Sequence, residues 1–156
     1  MGDETRVQPA GVSLQRTVRL ARRLEAPPER VSRAWADPEE LARWLPDRVE
    51  GALAVGARTE LVWPDRRLWW EVTDVEIGRL FAFRRGWLAD LSLVTRVRVT
   101  FAPSGYGTQV RLEDGPFPLD RPGGIDAWAD AIQTWSEALV MLRAHVDFSV
   151  DVRPTP

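Results

Sequence analysis

Hydrophobic positions along the chain repeat first every two residues, then every three to four, and the changes of period mark out the elements. Val18, Leu20 and Leu24 share one face of a first strand over 17–24, whose other face is arginine-rich and solvated. Ala26-Pro27-Pro28-Glu29 opens a helix, since proline is tolerated in a first turn, and Val31, Ala34 and Trp35 form its apolar stripe. Asp37-Pro38-Glu39-Glu40 starts a second helix with an aspartate N-cap and acids in the first turn. Leu41, Trp44 and Leu45 give that helix an inner face, and Pro46 ends it.

Period 2 then takes over. Strands are predicted over 48–53, 59–63, 68–76 and 79–85, with turns at Val55-Gly56, Pro64-Asp65 and Ile77-Gly78 and a loop over 86–90 holding Trp87. The clearest strand follows, with Leu91, Leu93, Thr95, Val97, Val99 and Phe101 on one face and Ser92, Arg96, Arg98 and Thr100 on the other. Pro103 to Gly107 is a turn, and 108–113 pairs back with Val110 and Leu112 inside. Asp114 to Gly124, rich in proline and glycine, reads as a crossing loop. From about Ile125 the period becomes helical. Trp128, Ala131, Ile132, Trp135, Ala138, Leu139, Leu142 and Val146 cover one side of a helix of about 22 residues, roughly 33 Å long. The predicted organisation is a flexible tail over 1–12, one domain over 13–148 and a carboxy-terminal tail over 149–156.

Composition narrows the chemistry. At 156 residues the chain is sized for one domain, and no apolar run reaches the roughly 18–20 residues of a membrane span. The polar amino terminus carries no hydrophobic stretch of a secretory signal, so the expected location is the cytoplasm, with no membrane partner. With no cysteine, disulfides, thiolate metal sites and a cysteine nucleophile are excluded. A net charge of −2 gives no electrostatic case for nucleic acid. All 21 basic residues are arginine, which excludes lysine nucleophiles and Schiff bases. Eight tryptophans in so small a chain require either a heavily aromatic core or an aromatic-lined cavity.

Strand, two helices, six antiparallel strands and a long terminal helix form the order of the START-like (SRPBCC, Bet v-like) superfamily. The segment LEAPPERVSRAWADPEELARWLPD over 24–47 resembles the amino-terminal signature of bacterial homologues of the heat shock protein 90 ATPase activator carboxy-terminal domain. The Gly51–Gly56 hairpin and AWADAIQTWSEALVMLRAHV over 127–146 extend the likeness to roughly 14–148. The resemblance implies an α+β helix-grip fold, with a curved antiparallel sheet (β-α-α-β6-α) wrapped around the terminal helix and an apolar cavity between them. Relatives of this kind bind lipids, hormones or polyketides, and a few are cyclases or dehydratases. The chain offers no second domain and no lysine-rich contact surface, so the ATPase-activating role is not carried over.

Candidate chemistry is sparse. His145 is the sole histidine; it suits a general base, but late on a helix it reads as a solvent-facing residue near the negative end of the dipole. Without a second histidine no histidine-cluster metal site can be built. Glu71 shares a face with Trp69 and Thr73, and Asp74 shares the opposite one with Trp70 and Val72. An inward acid would have a raised pKa, but an outward pair with Arg84 or Arg98 is the simpler reading. Trp35 and Trp44 belong to helix packing. Trp63, Trp70, Phe83, Trp87, Trp128 and Trp135 are the candidate ligand-binding residues, coming from elements that should face one another. No catalytic residue, metal or cofactor is implied.

The sequence therefore predicts a small hydrophobic-ligand binding protein with an aromatic-lined cavity. The alternatives are a chaperone-regulator-type protein-interaction domain, which would take a protein partner, and a cyclase, dehydratase or hydrolase on an apolar substrate using an inward acid with Tyr106 or His145. An exposed edge strand leaves a homodimer conceivable.

Overall fold

Antiparallel pairing between every neighbouring pair of strands builds the whole sheet. A computed structural model describes residues 14–86 and 93–154. In chain order the elements are β1 (Gln15–Leu24), α1 (Pro28–Ala36), α2 (Pro38–Leu41), β2 (Arg48–Glu50), β3 (Arg58–Trp63), β4 (Arg66–Glu76), β5 (Leu80–Gly86), β6 (Val94–Ser104), β7 (Gly107–Pro118) and α3 (Gly124–Phe148). The strands lie in the order β1-β7-β6-β5-β4-β3-β2. This is the helix-grip arrangement expected from the sequence, with α3 laid against the inner face nearest β1 and β7.

Local chemistry explains the helices. Asp37 ends α1 and caps α2, its Oδ1 accepting from the Glu39 N–H at 3.0 Å. α2 is shorter than its predicted span, four residues followed by turns, yet Leu41, Trp44 and Leu45 still point inward and are buried. Trp44 satisfies its buried indole N–H on the Ala34 carbonyl at 2.9 Å. α3 begins where the chain folds back on itself. Gly123 has φ +81°, and a Cβ on Gly124 would lie 1.8 Å from the Pro118 carbonyl oxygen.

Most strand ends shift by one to three residues from expectation, and two differences go further. β2 stops at Glu50 rather than Leu53, because Gly51 takes a positive φ of +107° and turns the chain out of the sheet. More consequential is β7, which continues through Asp114 to Pro118 where a loop was expected. Pairing with β1 carries the strand onward, Val18 opposite Asp114 and Gln15 opposite Pro118. Asp114 thus occupies an inward position beyond Val110 and Leu112. The loop around Trp87, the beginning of the 91–101 strand and the 1–12 tail lie outside the described residues.

The core is aromatic at its centre. Trp35, Trp70, Phe81, Phe83 and Trp135 are all nearly or wholly buried. Trp70 stacks on Phe83 at 3.9 Å, and Trp35 meets Trp44 edge-on at 5.0 Å. Trp135 reaches Trp35, Trp70 and Phe83 at 6.1, 6.5 and 6.2 Å. At its far end α3 is fastened to the β1–α1 junction by Asp147, whose two oxygens accept from the Glu25 and Ala26 N–H groups at 2.9 and 3.0 Å.

Candidate functional site

Packing α3 toward β1 and β7 leaves space on the other side, over β3, β4 and β5. A half-open cavity of about 630 Å³ lies there. Its deep end is formed by Leu45, Trp70, Arg85 and Trp135, and Trp63, Leu68, Thr134 and Met141 line its flanks. The β3–β4 turn (Pro64, Asp65, Arg66) and the outer side of α3 (Asp130, Gln133, Glu137) form the rim, with Arg153 and Pro154 of the carboxy-terminal segment.

Of the candidate aromatics, Trp63, Trp70 and Trp135 come together on this cavity. Phe83 is fully buried beneath Trp70 and supports it rather than lining the space. Trp128 is partly buried against the core and is not among the lining residues. Trp87 lies outside the described residues. Trp69 faces the other side of the sheet parity from Trp70, with the Arg58 guanidinium 4.1 Å from its ring centroid.

The groups that sequence reasoning missed sit at the deep end. Along β5, Phe81, Phe83 and Arg85 are buried, while Arg84 between them turns outward to Glu71 at 2.6 Å. Along β7, Thr108, Val110, Leu112 and Asp114 are buried. The two inward series each end in a charge. Arg85 Nη2 lies 3.0 Å from Asp114 Oδ2, and both side chains are almost wholly withdrawn from solvent. Trp135 donates its Nε1–H to the same Oδ2 at 2.8 Å, and the Arg85 guanidinium lies 4.9 Å from the Trp135 ring centroid. Asp114 Oδ1 is buried without a hydrogen-bond partner among the described residues. Burial pushes the Arg85 pKa below its usual value, opposed by the charges of Asp114 and Asp130; a guanidinium starts so high that it stays protonated. Continuing the two-residue parity past Phe83 and past Leu112 is the signal that would have found both residues.

The other sequence candidates fall elsewhere. Glu71 and Asp74 point away from the cavity; a bulge between Val72 and Asp74 turns Asp74 outward. Tyr106 is 98% exposed on the β6–β7 turn and reaches no cavity. His145 is not the solvent-facing residue expected: its side chain is 13% exposed and its Nε2 meets Glu40 Oε1 at 2.5 Å. Glu40 also pairs with Arg30 at 3.0 Å. Burial acts to raise the Glu40 pKa, but the hydrogen bond with His145 and the charge of Arg30 outweigh it, and the carboxyl is held below its ordinary value. The aspartate cap that starts α2 presents Glu40 to α3, so this trio ties α1, α2 and α3 together. Beside it, Arg153 donates to the Ala42 and Pro46 carbonyls at 2.9 and 2.6 Å and is braced by Asp151 at 2.8 Å. Hydrogen bonds from Arg153 bring the Asp151 pKa down to about 2. Among the described residues no three histidine or acidic side chains cluster to hold a metal ion, and no helix is long and apolar enough to cross a membrane.

Comparison with known proteins agrees with this architecture. No curated protein sequence matches the chain. A Mesorhizobium loti protein, MLL2253, is 27% identical, with a TM-score of 0.76 over 86% of this chain and 99% of its own. DynU16, from the dynemicin biosynthetic locus, is 23% identical with a TM-score of 0.76 over 88% of this chain, which spans only 49% of DynU16. The Aha1 dimer from Colwellia psychrerythraea shares the fold at 15% identity, with a TM-score of 0.74 over 85% of this chain and 97% of that one. Residues 25–147 match the model of one family across α1, α2, strands β2 to β7 and nearly all of α3, and the chain belongs to that family, the Activator of Hsp90 ATPase homolog 1-like proteins.

Proposed function

We propose that this protein binds a small, largely apolar aromatic molecule in the cavity between β3–β5 and α3. The observation that carries the reading is a cavity of about 630 Å³ walled by three indoles, Trp63, Trp70 and Trp135. That volume falls in the range of small-molecule sites, which are mostly apolar with a few placed polar groups. Indole faces offer large, rigid stacking area at little entropic cost. The core beneath them is already packed, so the cavity walls are held in place before a ligand arrives. A preformed wall lowers the ordering cost of binding.

Native mass spectrometry of freshly purified protein, with denaturing extraction in parallel, tests the reading. Expected is an added mass above 17.7 kDa that disappears on denaturation and is recovered as an aromatic compound. Thr134→Trp, which pushes a ring into the cavity, should abolish the added mass while leaving the far-ultraviolet circular dichroism unchanged. A clean apo mass, together with no tryptophan-fluorescence response to a panel of aromatic compounds, would overturn it. A mass near twice the monomer would point to an interaction surface instead.

A further inference from the structure

The face of the sheet turned away from α3 carries positive charge that its own acids do not balance. Alternation along the strands explains why these side chains point outward, but not why so many are arginine. In register across the sheet, Arg58, Glu71, Arg84 and Arg96 form one outward row. Asp74, Ala82, Arg98, Glu113 and Arg19 form the next, and Arg111 stands beyond it, opposite Thr100. With Arg111, these rows set six guanidinia against three carboxylates, on a chain whose net charge is −2. Two of the acids are already taken, Glu71 by Arg84 at 2.6 Å and Glu113 by Arg19 at 3.5 Å. Arg96, Arg98 and Arg111 are exposed and meet no carboxylate among the described residues. Arg84 and Arg96 stand directly opposite each other, a like-charge pairing that destabilises a sheet. On its other side Arg96 faces only Gly115, so nothing there offsets the repulsion.

Geometry selects the kind of polyanion. Alternate residues of a strand recur at about 7 Å and neighbouring strands lie about 4.8 Å apart, so Arg84, Arg96, Arg98 and Arg111 form one continuous band. An extended polypeptide repeats its own alternate side chains at the same spacing. Laid along β6 with an acid at every second position, it brings successive carboxylates to Arg96 and Arg98, with Arg84 and Arg111 on either side. Guanidinium forks take carboxylates bidentately. A single-stranded nucleic acid needs bare aromatic rings on which bases stack. Trp69, the outward ring on this face, is covered: it lies across Gly86, where a Cβ would come within 2.7 Å of it, and the Arg58 guanidinium is 4.1 Å from its centroid. Docking on a membrane surface draws on inserted apolar side chains. Val94, 37% exposed, is the one large apolar residue that the described strands expose.

We infer that this face docks a partner protein through an extended acidic segment whose carboxylates are taken by Arg96, Arg98 and Arg111. The cavity lies on the α3 side of the sheet, so this surface stands or falls independently of ligand binding there.

Fluorescence anisotropy in low-salt buffer tests the assignment with two labelled peptides of equal composition, one alternating Glu and Thr, the other a block of Glu followed by a block of Thr. The wild-type protein should bind the alternating peptide more tightly than the block peptide. Arg96→Gln with Arg98→Gln should weaken that binding about tenfold, the loss of two exposed ion pairs near the upper end of their usual strength. Arg111→Gln alone should weaken it by a smaller factor, and serves if circular dichroism shows the double variant unfolded. Arg33→Gln with Arg43→Gln, the same change of charge on the helical side, should leave it unchanged. No binding of the alternating peptide overturns the inference, as does an equal loss in the two double variants, which would mean that net charge and not this face is read. Equal binding of the two peptides overturns the extended register. Tighter binding of oligothymidylate, or of phosphatidylserine vesicles, than of the alternating peptide overturns the protein partner in favour of a nucleic acid or a membrane.

Discussion

Two buried aspartates, Asp147 at the end of α3 and Asp114 at the deep end of the cavity, face the same physical problem and solve it differently. The side chain of Asp147 is 1% exposed, and each of its oxygens accepts from a backbone N–H at the β1–α1 junction. Asp114 is fully buried, and its Oδ2 takes both Trp135 and Arg85, while its Oδ1 has no hydrogen bond among the described residues. The first carboxylate is saturated by groups that would otherwise be orphaned where a strand turns into a helix, and it fastens elements together. The second holds side chains that line a cavity, Arg85 and Trp135. Nearly complete burial is common to both. What each oxygen is bonded to separates an acid that fastens backbone segments from one that holds side chains of the cavity wall.

The sharpest way to break the comparison is to remove the acid that holds Arg85. Asp114→Ala leaves a buried guanidinium without its carboxylate and should cost about 3–5 kcal/mol. For a chain of this size that is a drop of roughly 10 °C or more in melting temperature. Adding Arg85→Met should recover most of the loss, because the penalty lies in the stranded charge. If single and double variants melt at the same temperature in calorimetry, the pair is not coupled as described.

Asp147→Ala should have a smaller effect on stability and none on the cavity. Two backbone donors lose their acceptor at a partly wetted junction, a cost of about 2 kcal/mol. Urea unfolding checks the magnitude, and an unchanged added mass in native mass spectrometry checks the separation of roles. Disappearance of that added mass would erase the distinction between the two aspartates.

The smallest effect concerns acid. Glu40 and Asp151 have folded pKa values below their ordinary ones, Asp151 at about 2. A depressed folded pKa gives stabilisation that is complete above the unfolded value, about 4, and is lost as pH falls through the folded one. Asp151 is 52% exposed, so solvent screening keeps its share small. Asp151→Asn should lie slightly below wild type in urea midpoint at pH 5 and converge with it near pH 2. A gap that stays constant across that range would show that the Asp151 charge does not brace Arg153.

Parity and period explain why the fold was legible. In β6, Thr95, Val97, Val99 and Phe101 are buried and Arg96 and Arg98 exposed, as alternation alone demands. In α3, Ala131, Trp135, Ala138, Leu139 and Leu142 form the buried stripe that three-and-four spacing draws, whereas Ile132, placed in it by the same spacing, is exposed. The candidate site was only partly legible. Asp114-Gly115-Pro116 has the composition of a turn, yet the β1 partner extends the strand through it, and local composition carries no record of a partner a hundred residues earlier. His145 reads as an exposed helix end until Glu40 and Arg30 arrive from two other helical segments.

By itself, then, the sequence determined which residues alternate inward, where the helices begin and that eight indoles had to be housed, because these follow from side-chain periodicity and local capping. Tertiary structure alone decided which indoles face the cavity and which face one another. It also set Arg85 against Asp114, residues of β5 and β7 with β6 between them in the sheet. Strand order is fixed by long-range hydrogen bonding across the sheet, and a charge's neighbour two strands away has no signature in its own stretch of chain.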